Sequence, residues 1–213
     1  MLGKMRKRLS CRNNGFTLIE IAIVILIAGL ILTALLNSDS LIKQSRVQDS
    51  IAIAADLSSA SRIFKQRYHY LPGDFLVNTG LSPQIPGLTN ACMSGGAGAG
   101  NGNGAVELNE SPCVPEHLFA AGLIKGGLGP LRSQYGTIQV IANAASQTAL
   151  GPNPLPANIQ NVIEFANLPC DVAREIDRKL DDDNLATGRV TASVAACTPK
   201  VLNDPVPFFA LAL

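Results

Sequence analysis

The sequence predicts an α+β protein, in which a long N-terminal helix precedes a small head of shorter helices and strands. Three observations support this. Proline and glycine are absent from Leu30 to Leu71. Apolar residues recur at three- and four-residue steps through the second half of that stretch, which is the spacing of one helix face. Beyond residue 130, short β-rich segments are separated by a proline-rich gap and an amphipathic helix.

The first element is an apolar run from Phe16 to Leu36, interrupted only by Thr17, Glu20 and Thr33. At about 1.5 Å per residue it spans roughly 31 Å, the thickness of a bilayer core. The segment before it carries five basic residues and no acid. The positive-inside rule therefore keeps the N-terminus in the cytoplasm and sends the rest outward. A cleaved secretory signal is disfavoured, because the helical pattern continues past the run with no small-residue cleavage site.

Glu20 lies inside the apolar run, where a lone ionised carboxylate costs about 2.5–3.5 kcal/mol. Such a group is normally paired and functional. The alternative is that Glu20 lies at the cytoplasmic interface and extends into water.

The hexapeptide GFTLIE at residues 15–20, together with the apolar run, resembles the class III signal of type IV pilins and type II secretion pseudopilins. The resemblance implies a pilin-like fold, with the long helix packed on a small antiparallel sheet. It also implies that a prepilin peptidase cuts between Gly15 and Phe16 and methylates the new amine of Phe16. Beside a neighbouring subunit's Glu20, that amine would offset the buried charge and set the axial register.

The same resemblance implies a non-enzymatic subunit of a type IV pilus or a type II secretion pseudopilus. It would first lie in the inner membrane as a single-pass protein, with a cytoplasmic N-terminus and a periplasmic head. Its partners would be the peptidase, other pilin or pseudopilin subunits, the inner-membrane assembly platform and membrane lipid. The alternative is a singly anchored periplasmic binding protein that does not polymerise. An anchored enzyme is a third hypothesis, but the sequence offers no nucleophile, acid/base or metal constellation for it.

Four segments follow: a cytoplasmic leader at 1–15, a transmembrane and assembly helix at 16–37, a periplasmic spine helix at 38–71 and a globular head at 72–213. Loss of the leader would leave 12 basic residues against 16 acidic ones, a formal net charge of −4. This charge excludes a nucleic-acid footprint on the head. No cofactor is expected. Charged residues make up only 15% of the chain and Trp is absent, so the head must rely on aliphatic burial and covalent links.

Five cysteines are present, and Cys11 lies in the leader. The other four fall on the exported side, where disulfides can form. Three pairings are open. Proximity in sequence alone favours Cys92 with Cys113 and Cys170 with Cys197. Metal ligation is the rival interpretation, although the spacing of a zinc site is missing.

The spine helix is expected to continue the first helix as far as about Tyr70, where Pro72-Gly73 stops it. His69 is expected to be a helix-end residue, and neither it nor His117 has a nucleophile motif nearby. The glycine-rich tract at residues 94–104 is expected to be a flexible surface loop, since no nucleotide-binding fingerprint follows it. The expected head elements are helices at Pro115–Ile124 and Pro169–Leu180, strands at Gly136–Ala142, Asn161–Ala166 and Gly188–Ala196, and an edge strand at Val206–Leu211.

Three consecutive aspartates, Asp181 to Asp183, precede the last predicted strands. Some major pseudopilins bind calcium in a loop of the head, and Ca²⁺ prefers hard oxygen ligands. The spacing lacks the later bidentate glutamate of an EF-hand, however. A solvated turn is therefore the expected structure, with no metal site, and calcium binding is the alternative.

Overall fold

The computed structural model describes residues 15–36, 38–76, 85–93, 96–127, 129–150, 155–194, 197 and 205–213. The chain divides into two compact units, Met1–Lys43 and Gln44–Leu213. All of the predicted leader except Gly15 lies outside the described residues, as do part of the glycine-rich tract and the last two residues of the strand predicted at Gly188–Ala196.

Two long helices come first in the chain. Helix α1 is Leu18–Leu36 and helix α2 is Ser38–Tyr68, and Asn37 lies outside the described residues. Helix α2 ends two residues before the predicted limit. The His69 amide still donates to the Lys65 carbonyl (2.8 Å), but His69 itself is left-handed, with φ of 68°. It is thus a helix-end residue, as expected, and the chain turns away before Pro72.

The second unit contains a four-stranded antiparallel sheet. Its strands are β1 (Ile138–Ala142), β2 (Asn161–Pro169), β3 (Val190–Ala192) and β4 (Pro205–Ala212), in the order β1-β2-β4-β3. The sheet and its helices confirm the predicted α+β, pilin-like fold class.

The prediction of an edge strand at Val206–Leu211 is wrong, because β4 lies between β2 and β3. Strand β4 contains Pro205 and Pro207, and proline is normally confined to edge strands, strand starts or bulges. Among the described residues, β3 pairs with residues 209–211 of β4, so Pro205 and Pro207 lie outside that ladder and their missing amides cost it no hydrogen bond. Opposite Pro207, the left-handed Asn167 (φ 57°) also falls outside the β2 ladder.

The described part of the head also contains three α-helices, α3 (Val114–Ala120), α4 (Asn143–Leu150) and α5 (Cys170–Leu180), and two 3₁₀ turns at Asn90–Cys92 and Ser111–Cys113. Helix α5 begins within one residue of the prediction. Helix α3 is shorter than predicted, because Gly122 is left-handed (φ 69°) and its amide closes a turn on the Phe119 carbonyl (2.9 Å). Helix α4 was not predicted.

One main core joins α2 to the sheet and to α5. Val47, Leu57 and Phe64 of α2 are fully or almost fully buried in it. The sheet contributes Val140, Phe165 and Phe209 among others, so the helix packs on the sheet through aliphatic and aromatic side chains. Covering these apolar surfaces is the dominant favourable contribution to folding this unit.

Candidate functional site

The predicted cleavage site lies immediately before α1. Residues 15–17 belong to no helix or strand, and the Phe16 side chain is 80% exposed. Gly15 has open space where a side chain would be. The Gly15–Phe16 bond is therefore on an accessible segment of the first unit.

Thr17 and Glu20 form a capping box at the start of α1. The Glu20 amide donates to the Thr17 hydroxyl oxygen (3.3 Å), and the Thr17 amide donates to Glu20 Oε2 (3.4 Å). The Thr17 hydroxyl also donates to the same oxygen at 3.5 Å. Reciprocal bonds of this kind satisfy amides that the first helical turn leaves without partners. Sequence reasoning gave Glu20 only an intermolecular role and missed this one, although Thr-x-x-Glu is itself a signature of a helix start.

Helix α1 presents apolar side chains all around its circumference. Every described side chain from Leu18 to Thr33 is exposed, including Ile23, Leu26 and Leu30. The hydroxyl of Thr33 is satisfied within the helix, since it donates to the Leu30 carbonyl (2.8 Å). A helix that is apolar on every side is typical of one that is covered by lipid or by other protein.

One family profile, described as the prokaryotic N-terminal methylation motif, matches residues 10–36 of the 213-residue chain. The chain carries the type IV pilin/pseudopilin signal. This confirms the resemblance seen in residues 15–36. No curated protein sequence and no solved structure gives a match.

The pilin/pseudopilin signal is that of pilin-like substrates of the prepilin peptidase, and it implies a subunit that is anchored in a membrane. It covers the N-terminal segment alone. Within the described residues, no helix meets the combined length and apolarity needed to cross a membrane.

Beyond the pilin/pseudopilin signal, two cysteine pairs lie at disulfide distance in the head. Cys92 is joined to Cys113 and Cys170 to Cys197, with Cα separations of 5.5 and 5.6 Å. These are the pairs that proximity in sequence favoured. The first closes the segment that contains the glycine-rich tract, and the second ties the start of α5 to Cys197.

The turn that follows α2 is buried and makes polar contacts with distant segments. The Gly73 amide donates to His117 Nδ1 (2.9 Å), and His117 Nε2 lies 3.3 Å from the Cys92 carbonyl oxygen. Nδ1 is an acceptor, so Nε2 carries the proton of a neutral ring. Burial lowers the pKa of His117, although the Cys92 carbonyl and the Glu116 charge oppose this. His117 therefore has a structural role. The same turn requires glycine at position 73, because φ is 91° there and a Cβ would overlap the Val114 side chain.

Asp74 holds the glycine-rich tract in place. It is 1% exposed, and its two oxygens accept hydrogen bonds from the amides of Gly102 (2.6 Å), Asn103 (3.2 Å) and Gly104 (2.7 Å). Gly98 is buried against Cys113. The described part of the tract lies largely at the surface, as expected, but Asp74 anchors residues 102–104, because its carboxylate supplies side-chain acceptors that glycines lack.

Two further buried carboxylates stabilise loops and the sheet. Glu110 accepts from the amides of Asn101 (3.1 Å) and Glu107 (2.9 Å). Glu164 on β2 accepts from the Gln139 amide group (2.6 Å) and the Ser146 hydroxyl (2.9 Å). Burial raises the pKa of both, and the hydrogen bonds partly oppose the shift. Each carboxylate has partners on both oxygens, which indicates a structural role.

A group of acidic side chains lies at the C-terminal end of α5. Asp177, Asp181 and Asp182 each bring a carboxylate oxygen to within 4.8 Å of the others; we call them the α5 carboxylate cluster. The pKa of Asp177 is raised to about 6. Burial is the largest cause, and the negative charges of the aspartates at 181–183 add to it. The Asn184 amide acts in the opposite direction, but it does not reach hydrogen-bond geometry with either Asp177 oxygen.

Sequence reasoning missed Asp177. The spacing of Val172, Ile176 and Leu180 places them on one apolar face of α5, but Leu180 is 45% exposed while Asp177 is fully buried. The buried positions are 170, 172, 173, 176 and 177, and Asp177 follows the small, buried Ala173 by one helical turn. Residues four positions apart lie on the same helix face, so this spacing could have predicted that Asp177 is buried.

Proposed function

We propose that the chain is a pilin-like structural subunit, made as a precursor and assembled through its N-terminal helix into a type IV pilus or a type II secretion pseudopilus. The precursor would be cut after Gly15 and N-methylated at Phe16 by the prepilin peptidase. The observation that carries the proposal is the methylation motif at residues 10–36. The accessible position of the Gly15–Phe16 bond, outside any helix, supports it.

The surface of α1 supports assembly through this helix. Its exposed apolar side chains would be unfavourable in water at about 25 cal/mol per Å² of apolar area. Lipid can cover them before assembly, and the same helices of other subunits can cover them afterwards. The subunit would thus be stored in the inner membrane, with its N-terminus cytoplasmic and its head periplasmic. It would then move from the membrane into a filament.

Glu20 would serve both the subunit and the filament. Within one subunit, both bonds from Thr17 use Oε2, so these bonds leave Oε1 available. In the filament, a neighbouring subunit's N-methylated Phe16 amine would bind this carboxylate as a charge-assisted partner. The pair would offset the charge of both groups and fix the axial register between adjacent helices.

The remaining segments take structural roles in this proposal. The leader at 1–15 is removed, residues 16–37 form the anchor and assembly helix, residues 38–71 form the spine and residues 72–213 form the head. The peptidase and the inner-membrane assembly platform act on the first two segments. The head, whose described polar groups hold loops and sheet together, is presented on the filament surface and carries no catalytic role.

An assembly assay tests the proposal. The full precursor is expressed with the peptidase and an assembly platform, and filaments are sheared from the cells and probed for the chain. We expect the chain in the sheared fraction, and we expect Glu20→Gln to be processed but strongly depleted from it. Glu107→Gln is the matched control, because Glu107 is an exposed head residue that undergoes the same chemical change.

Equal recovery of Glu20→Gln and Glu107→Gln would refute the role of Glu20. A processed wild-type chain that never leaves the membrane, with other subunits assembling normally, would refute assembly and leave a tethered periplasmic protein.

A further inference from the structure

Two Asn-Gly dipeptides follow one another in the glycine-rich tract, Asn101-Gly102 and Asn103-Gly104. Asparagine is among the thermolabile residues of proteins. A glycine after it places no side chain in the way of a reaction at the glycine's backbone nitrogen. Both dipeptides are therefore candidate sites of spontaneous deamidation, and the question is whether the fold permits this reaction.

Deamidation of an Asn-Gly dipeptide begins at the backbone nitrogen of the glycine. Water or hydroxide removes the proton of this amide, and the nitrogen lone pair attacks the side-chain carbonyl carbon Cγ of the asparagine. A bond forms between this nitrogen and Cγ, the bond from Cγ to Nδ2 breaks, and Nδ2 takes up a proton and leaves as ammonia. Water then opens the cyclic imide at either carbonyl, which gives aspartate or isoaspartate. The glycine amide must therefore be free to lose its proton, and Cγ must be free to approach it.

The nucleophilic nitrogens of both dipeptides are engaged with Asp74. The Gly102 amide donates to Asp74 Oδ1 (2.6 Å), and the Gly104 amide donates to Asp74 Oδ2 (2.7 Å). These distances are at the short end for an amide donor, as is usual when the acceptor is a carboxylate. Asp74 is only 1% exposed, so water competes little for its oxygens. Loss of either amide proton would break a hydrogen bond and place a second negative charge beside a buried carboxylate, which is unfavourable.

The side-chain carbonyls of the two asparagines are also hydrogen-bonded. Asn101 Oδ1 accepts from the Asn103 amide (2.9 Å), and Asn103 Oδ1 accepts from the Ala105 amide (2.8 Å). The Asn103 side chain has one further bond, because its Nδ2 donates to Glu107 (3.1 Å). In each dipeptide, the attacking nitrogen and the carbonyl under attack are thus both held in other interactions.

The backbone of the two dipeptides is anchored at both ends. The Asn101 amide donates to Glu110 Oε1 (3.1 Å), and Asn161 Nδ2 donates to the Gly104 carbonyl (2.8 Å). Glu110 and Asn161 are buried. The side chains of Asn101 and Asn103 are nevertheless exposed, so solvent reaches them. Access of water therefore does not limit the reaction, whereas the hydrogen bonds of the glycine amides do.

We propose that Asn101 and Asn103 are sites of spontaneous deamidation, and that Asp74 keeps both of them unreactive in the folded protein. The reaction would proceed whenever the contact with Asp74 is open, either before the head has folded or during later local opening. Isoaspartate lengthens the backbone by a methylene group, so the amides at 102–104 could no longer converge on Asp74. A chain that is slow to close this contact would therefore be permanently altered.

Deamidation kinetics of the wild-type chain test the proposal. The protein is incubated in mildly alkaline buffer, either folded in detergent or reduced and unfolded in urea, and peptide mass spectrometry follows conversion at 101 and 103. We expect the folded protein to react at least about thirtyfold more slowly than the unfolded one at both sites, because the reaction requires an opened tract. Comparable rates in the two states would overturn the proposal.

Asp74→Asn tests whether this carboxylate provides the protection. It is expected to speed deamidation of the folded protein at least about tenfold at both sites, because it weakens both glycine contacts. Ile176→Ala is the matched control, since Ile176 is buried in the main core and its truncation lowers global stability without touching the tract's hydrogen bonds. Its rates should stay within about twofold of wild type. No acceleration in Asp74→Asn, or equal acceleration in both variants, would refute the role of Asp74.

Hydrogen exchange of the wild type tests the same contact even if Asp74→Asn does not fold. The amides of Gly102 and Gly104 should exchange slowly, by about the factor that slows deamidation, since both reactions require the amide to leave Asp74. The exposed Gly126 supplies a comparison amide that should exchange faster. Exchange at 102 and 104 as fast as in the unfolded chain would contradict the proposal. These measurements require neither cleavage nor polymerisation, so their outcome is independent of the proposed filament function.

Discussion

The Thr17 hydroxyl and the Glu20 carboxylate each accept a hydrogen bond from the other's backbone amide, at 3.3 and 3.4 Å. This box starts α1 three residues after the proposed cleavage point. The carboxylate that the filament would use thus also stabilises the helix end that carries the new amine.

The dual role of Glu20 leads to the first prediction. Both distances are at the long end for hydrogen bonds. We therefore expect Glu20→Ala or Thr17→Val to cost about 0.5–1 kcal/mol at this helix end. Amides 18–21 should then exchange with solvent about two- to fivefold faster in detergent, measured by hydrogen exchange.

Glu20→Gln separates the two roles, because glutamine can complete a capping box but carries no charge. Its exchange rates should stay close to wild type while its filament incorporation falls. Glu20→Gln exchanging as fast as Glu20→Ala would contradict the capping account.

The second prediction concerns Asp74, the acceptor for three amides of the glycine-rich tract. Asp74→Asn replaces one acceptor oxygen with a donor facing backbone amides. It should lower the free energy of unfolding by about 2–4 kcal/mol. Urea unfolding followed by circular dichroism measures this, because the chain has no Trp.

Glu107→Gln provides the comparison for Asp74→Asn. Glu107 is exposed and contacts the same tract through the Asn103 side chain (3.1 Å). Its loss should change stability by no more than about 0.5 kcal/mol. Similar losses in the two variants would mean that Asp74 does not organise the tract.

The third prediction is a pH dependence that arises from His117. Burial lowers the pKa of His117 in the folded protein, so the unfolded chain binds this proton first, near its ordinary value of about 6.5. The contribution of the neutral ring is therefore complete above about pH 6.5 and is lost as the pH falls toward the folded-state value. The contribution of His117 to stability should therefore decrease over this range.

His117→Asn keeps an acceptor near the Nδ1 position but does not titrate. The stability difference between wild type and His117→Asn should shrink as the pH falls from about 8 to about 5. The raised pKa values of Glu110 and Glu164 act in the opposite direction but affect both proteins equally. Parallel pH profiles for the two proteins would show that His117 does not carry the effect.

The fourth prediction concerns the two disulfides, which span 21 and 27 residues of sequence. Replacing either pair with alanine should cost about 2–4 kcal/mol, mostly through a less restricted unfolded chain. Their loop lengths are similar, so the two losses should agree to within about 0.5 kcal/mol. Thermal unfolding measures the losses, and a non-reducing peptide map that joins Cys92 to Cys170 or Cys197 would contradict the pairing.

The sequence predicted elements whose limits are set by local chemistry. Helix α2 ends at Tyr68, close to the limit expected from Pro72 and Gly73, and Pro169 precedes α5 as expected. The N-terminal signal was equally predictable, because an ionised acid within an apolar membrane segment is energetically costly and therefore rare. In each case a few adjacent residues determine the feature.

Features that depend on distant segments were missed. Helix α4 is short, and its first residue is held by contacts from Asn143 to the Pro156 and Ile159 carbonyls (3.1 and 2.8 Å). The central position of β4 in the sheet depends on its pairing with both β2 and β3, and neither partner is adjacent to it in sequence. The order of the glycine-rich tract depends on Asp74, about 30 residues earlier in the chain. The burial of Asp177 depends on the loop at 181–190, in which Asp181 accepts from the amides of Arg189 and Val190.

N-terminal peptide mass spectrometry tests the central claim most directly. The protein is extracted from membranes of cells that contain the prepilin peptidase and, in parallel, of cells that lack it. We predict a peptide beginning at N-methylated Phe16 in the first sample and a chain that retains Gly15 and the leader in the second. An uncut chain beginning at Met1 in the peptidase-containing cells would contradict the account and favour a tethered periplasmic protein.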